Sequence, residues 1–218
     1  MRRFWPIIGL IWITGPQPAN GQLIRSLGMK AGLSISNQTH QFTPIDYTLD
    51  TGPLLAPSAA LFMEAFRGES FSLQADLSYV CRGSTTSTHS ITVNHLDQDR
   101  IIVNQGDPVA SRFHYLSLAA MARVRTELKN LVPYALAGPR LDMLLSYSTE
   151  SDYPLEQQNS MILGLSLGIG LEFKFDRTGL FTELQYQPGL SPVTNREPLL
   201  INNNSLIITL GIRRNNRR

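Results

Sequence analysis

Four histidines, His40, His89, His95 and His114, and two nearby aspartates, Asp97 and Asp99, are the side chains best suited to acid–base or metal chemistry. His89, His95, Asp97 and Asp99 share one polar stretch, an arrangement open to a metal or a catalytic dyad. Catalysis needs such groups fixed within hydrogen-bond reach by a supporting shell, and the surrounding Ser, Thr, Asn and Gln read instead as a solvated loop. No glycine-rich phosphate loop and no HExxH motif is present. The single cysteine, Cys81, rules out an internal disulfide framework and a cysteine-based zinc cluster; its position favours a buried or lipid-facing thiol. The expectation is therefore no catalytic residue, no metal and no cofactor. An enzyme acting through His89, His95, Asp97 and Asp99 in residues 89–99 stands as the alternative.

A second set of chemical groups recurs at every other position of apolar stretches. Lys30, Arg123, Arg125, Arg140, Lys174 and Arg213 stand against Asp76, Asp142, Glu172 and Glu183. Their positions imply elements of period two. Leu163, Leu165, Leu167, Ile169, Leu171, Phe173 and Phe175 alternate with small or charged residues, a pattern that fits a strand and no amphipathic helix. The same alternation runs through Met29–Ile35, Phe71–Tyr79, Leu116–Val124, Ala135–Leu145 and Leu206–Ile212. Two noisier stretches, about 58–67 and 180–187, bring the count to eight.

Composition narrows the class. Apolar residues make up 42% of the 218 and charged ones 17%, below the roughly 25% usual in soluble domains. The formal charge of +2 is not concentrated in a basic patch, which argues against a nucleic-acid partner. Arg2 and Arg3, the apolar run from Phe4 to Ile13 and the small residues Ala19 and Gly21 read as a signal peptide over residues 1–21, cut before Gln22. After Gln22 no stretch is long and apolar enough for a spanning helix.

Low charge without such a helix leaves two arrangements: a soluble barrel with apolar rows inside, or a membrane barrel with apolar rows facing lipid. The polar rows are rich in Gly and Ser, as a narrow lumen requires. Phe71 and Phe175 stand near one end of the apolar rows and Tyr79, Tyr147 and Tyr186 near the other, as interfacial girdles would. Connections sort by parity: residues 67–70, 126–132 and 176–179 are short, whereas 37–57, 83–111, 148–159 and 188–203 are long. An outer-membrane barrel has this plan, with long loops outside and both termini periplasmic. In an eight-stranded barrel the inward charges must pair and fill the bore, which excludes a wide pore.

The order of motifs along the chain resembles the PorT-like outer-membrane β-barrel family of Bacteroidetes. It is carried by Leu27-Gly28-Met29-Lys30-Ala31-Gly32-Leu33, by Phe71-Ser72-Leu73-Gln74-Ala75-Asp76-Leu77-Ser78-Tyr79 and by Pro133-Tyr134-Ala135-Leu136-Ala137-Gly138-Pro139. Leu167-Gly168-Ile169-Gly170-Leu171-Glu172-Phe173, Glu183-Leu184-Gln185-Tyr186-Gln187-Pro188-Gly189-Leu190 and Leu210-Gly211-Ile212-Arg213 follow in order. The resemblance implies a fold and an outer-membrane location, and a link to a secretion apparatus through the founding member.

The reading is an all-β chain: a signal peptide at 1–21, then an eight-stranded antiparallel up-and-down transmembrane β-barrel over 22–218. Its expected role is a structural or interaction component of the cell outer membrane, linked to secretion or adhesion. Its expected partners are membrane lipid and envelope or secretion proteins reached through the long loops. The fold-level rival is a soluble secreted barrel that binds a lipophile inside.

Overall fold

The computed structural model describes residues 24–42, 47–66, 68, 70–94, 100–149, 158–194 and 199–215. The proposed signal peptide therefore lies outside the described residues. The strands are β1 (Ile24–Phe42), β2 (Tyr47–Asp50), β3 (Gly52–Ala65), β4 (Phe71–Asn94), β5 (Arg100–Arg125), β6 (Leu131–Thr149), β7 (Met161–Phe175), β8 (Thr178–Pro188) and β9 (Leu199–Asn215). From β3 onward each strand pairs antiparallel with the next, β1 pairs with β3, and β9 returns to β1 through pairs such as Leu33↔Ile208. These eight strands form a closed barrel. The four-residue β2 is an addition that pairs with the far end of β1, from Thr39↔Asp50 to Phe42↔Tyr47.

Alternation along each strand becomes two faces. In β3, Leu55, Leu61 and Met63 point out while Ser58, Phe62 and Glu64 are buried inside. In β7, Leu163, Leu167 and Ile169 point out and Ser166 and Glu172 point in. Thirty large apolar side chains are exposed among the described residues, up to 70% for Leu210, whereas Lys30, Glu64, Arg123, Glu172 and Arg213 are buried. Apolar exposure on this scale far exceeds the few hundred Å² tolerated as one patch in water, and hydrocarbon removes the difficulty. A soluble lipophile carrier needs the opposite faces, so that rival does not describe this molecule.

The three short connections lie where expected, at residues 66–70, 126–130 and 176–177. Each is tight enough to hold a non-glycine residue at positive φ: Phe66 at 48°, Lys129 at 55° and Asp176 at 47°. They share one rim with the described chain ends, and the other ends of the strands form the opposite rim. Two of the expected long loops are largely strand. β1 runs on to Phe42 and β3 begins at Gly52. β4 and β5 continue pairing to Asn94↔Arg100 instead of giving way to a loop at residue 83. Thr, Ser and Asn suit a solvated loop by composition, but the stretch also contains Ile91, Val93, Ile101 and Val103, types that favour strands, and Ile91↔Val103 and Val93↔Ile101 are paired.

Candidate functional site: the charged lumen and the loop rim

Inward charges from four strands assemble near the turn rim. Glu64 on β3 accepts from Arg125 Nη1 at 2.5 Å, from Arg213 Nη1 at 2.8 Å and from Ser26 Oγ at 2.8 Å. Arg213 on β9 also pairs with Glu172 on β7, whose other oxygen accepts from Arg123 Nη2 at 3.0 Å. The order Arg125–Glu64–Arg213–Glu172–Arg123 thus crosses the bore and returns to β5. Space for it comes from small neighbours: a Cβ at Gly179 would stand 2.4 Å from Glu172 Oε1.

From Arg123 the hydrogen bonds climb the lumen. Its Nη1 donates to Gln74 Oε1 at 3.2 Å, and Gln74 Nε2 donates to Asp76 at 2.8 Å. Lys30 Nζ bridges Asp76, at 2.6 Å, and Glu183, at 2.5 Å. Glu183 also accepts from Tyr134 Oη at 2.9 Å and from Gln185 Nε2 at 2.8 Å. Gln187 Nε2 donates to Gln185 Oε1 at 2.7 Å, and Arg82 Nη2 to Gln187 Oε1 at 2.6 Å. Arg82 then meets Asp142 at 2.5 Å, which also takes Arg140 at 3.0 Å and Ser117 Oγ at 2.5 Å. Desolvated charges are tolerated because each is paired; removing one partner of such a pair typically costs about 3–5 kcal/mol.

Apolar layers fill what the charges leave. Phe62 and Phe181 meet edge to face at 5.5 Å in a cluster with Met121, Tyr134 and Leu136. Each ring lies over a glycine of a neighbouring strand, Phe62 over Gly28 and Phe181 over Gly211, where a Cβ would approach the ring within 2.3 Å. At the loop rim Phe113, Tyr115, Ile162, Val193 and Ile201 form a second cluster, with Leu144 and Tyr147 packed against it. Val193, in the β8–β9 connection, joins this cluster, and its N donates to Ile201 O at 2.7 Å.

The residues singled out for acid–base chemistry are not brought together among the described side chains. His114 faces outward, where its Nδ1 shares a 2.7 Å hydrogen bond with Tyr79 Oη. His40 and His89 fall within β1 and β4. His95, Asp97 and Asp99 lie outside the described residues. No cluster of three His, Cys, Asp or Glu side chains able to hold a metal occurs among the described residues. Gly164-Leu165-Ser166-Leu167-Gly168 has G-x-S-x-G spacing. It lies wholly inside β7, with Ser166 buried in the lumen, whereas a nucleophile elbow requires a strand-to-helix turn. Cys81 is a buried free thiol, as expected.

Four residues stand elsewhere than the sequence suggests. Lys174 is not in the network; it pairs with Glu127 of the β5–β6 turn, where both are partly exposed. Tyr147 belongs to the inner cluster and not to the girdle, because a bulge between His114↔Ser146 and Tyr115↔Leu144 shifts the parity of β6 by one. Glu64 and Arg82 join the network, although neither was singled out. Their even numbers, in step with Ser58 and Phe62 on β3 and with Gln74 and Asp76 on β4, were the signal that could have found them.

Several solved structures are similar to this chain. Neisserial surface protein A shares 12% identity at a TM-score of 0.49, covering 87% of this chain and 97% of that one. The attachment invasion locus protein Ail of Yersinia pestis, solved with the heparin analogue sucrose octasulfate, shares 14% at 0.41, covering 87% and 98%. OprG of Pseudomonas aeruginosa shares 6% at 0.44, covering 90% and 99%. No curated protein sequence matches the chain. Residues 17–195 match the outer membrane protein beta-barrel domain, most of the chain and every barrel strand but β9, so this protein belongs to that family and resides in the cell outer membrane.

Proposed function

We propose that the barrel is a plugged membrane anchor whose work is done at the loop rim, as a structural or interaction component of the outer membrane. One observation carries this reading. β4 and β5 remain paired from Thr86↔Val109 to Asn94↔Arg100, beyond the last partner that β3 gives β4, Gly52↔Thr85, and the last that β6 gives β5, Ser111↔Thr149. Among the described residues the two strands pair past those points only with each other, as a ribbon that the membrane crossing does not require. The sequence motifs support a finer placement within a PorT-like group, with envelope or secretion proteins as partners. Residues 1–21 act in this reading as a cleaved signal peptide, and the loop rim faces outside with both termini periplasmic. No catalytic role is assigned.

Replacing residues 86–109 by a short turn tests the proposal. The shortened barrel should fold and reach the outer membrane but lose its crosslinks to envelope proteins; unchanged crosslinking would refute a role for the ribbon. Joint substitution of His89, His95, Asp97 and Asp99 by Ala should leave those crosslinks intact.

A further inference from the structure

Midway along the lumen lies a cavity of about 20 Å³, lined by Lys30, Ser58, Asp76, Arg140, Gln187 and Thr209 among others. Two hydroxyls at its wall, Ser58 Oγ and Thr209 Oγ1, make no hydrogen bond with any protein group, although each residue is only 6% exposed. They stand on either side of Gly32, which pairs with Ser58 on β3 and with Thr209 on β9 and offers no side chain to either. Lys30 Nζ donates to Asp76 and Glu183, which uses two of its three protons. A buried hydroxyl without a partner forfeits the hydrogen bonds it made in water, so two at one cavity point to a ligand.

Size and charge choose that ligand. A space of this volume holds about one water, which needs roughly 10–15 Å³ on this measure and two to four polar partners. Lys30 already faces two carboxylates, Asp76 and Glu183, so an anion would be repelled from below. A metal cation would stand beside Lys30 and Arg140 with no free carboxylate to coordinate it: Asp76 is taken by Lys30 and Gln74. A neutral molecule that both donates and accepts fits all the walls.

We propose that this cavity is a solvent site for a single water, held by Ser58 Oγ, Thr209 Oγ1 and the remaining proton of Lys30 Nζ. The site ties β1, β3 and β9 together on the seam where the sheet closes, and it goes beyond the anchoring role above. A crystal structure of the full chain at a resolution that shows ordered water tests it. The expected result is a density peak within hydrogen-bond reach of both hydroxyls, lost in the Ser58→Ala/Thr209→Val variant and kept in Thr209→Ser. An empty cavity in the wild-type chain overturns the proposal, as does a peak that persists unchanged in the double variant. Crystals grown with bromide add a third arm, because an anomalous peak in the cavity would identify an anion site in place of water. The wild-type and bromide arms decide the question even if the double variant does not fold.

Discussion

At the scale of single residues, the two faces of a strand make opposite demands, and adjacent positions on β7 expose the difference. Leu167 is 44% exposed on the outer face. Leu167→Arg places a charge in hydrocarbon and should cost about 2–4 kcal/mol near the midplane. Gly168 faces the lumen, where a Cβ would lie 3.0 Å from Gln185 Cγ and 3.0 Å from Leu136 Cδ1. Gly168→Leu should therefore overpack the bore and cost about 1–3 kcal/mol. Denaturant midpoints of both variants refolded in lipid check the pair, and a silent Gly168→Leu would contradict the packed lumen. Glu64 makes a sharper case, since Arg125 and Arg213 both depend on it. Glu64→Ala should lose about 3–5 kcal/mol, while Ser26→Ala, which removes only a hydroxyl donor to the same carboxylate, should lose about 1 kcal/mol.

At the scale of the element, the β7–β8 seam shows how a side chain can complete a ladder. Pairing runs from Phe175↔Thr178 to Leu167↔Tyr186 and then stops; above it two isolated bridges remain among the described residues, Gly164↔Gly189 and Gln158↔Thr194. Pro188 has no N–H to offer at this point. Arg140 reaches across from β6 instead, donating from Nη1 to Leu165 O at 2.9 Å. Gly164 admits it, since a Cβ there would stand 2.5 Å from Arg140 Nη2. Arg140→Met keeps much of the bulk and removes the donors. It should raise hydrogen exchange at Leu190 and Ser191, whose amides bond Leu163 O next to the gap, by roughly tenfold or more, with little change on β1–β3. Uniform protection across the barrel would show that the guanidinium does not hold the seam.

At the scale of the whole molecule, an ionic spine below and an aromatic stopper above leave no continuous bore. The refolded barrel should show no steady ion conductance in planar bilayers, and a stable open channel would contradict the packing described. Topology can be tested on intact cells: tags near Thr86 or Asp152 should be cut by added protease, and tags near Asn130 or Arg177 should be protected.

The sequence by itself determined the period, the number of membrane strands, the inverted faces and the order of short and long connections. Each follows from a local rule: which side chain stands beside which along one strand, and which residues can turn. Most of the lumen charges were legible on the same ground, because parity alone puts Lys30, Asp76, Arg123 and Glu172 on the inner rows. Only the tertiary structure decided who pairs with whom. Glu64 meets Arg213 149 positions away, and Arg82 meets Gln187 across 105. Such contacts depend on strand register and on closure of β9 upon β1, which no local spacing encodes. The bulge that turns Tyr147 inward and the extension of β4 and β5 beyond the rim were hidden for a related reason. A single unpaired residue reverses every face after it, and a polar stretch becomes strand or loop according to what its partner offers in register.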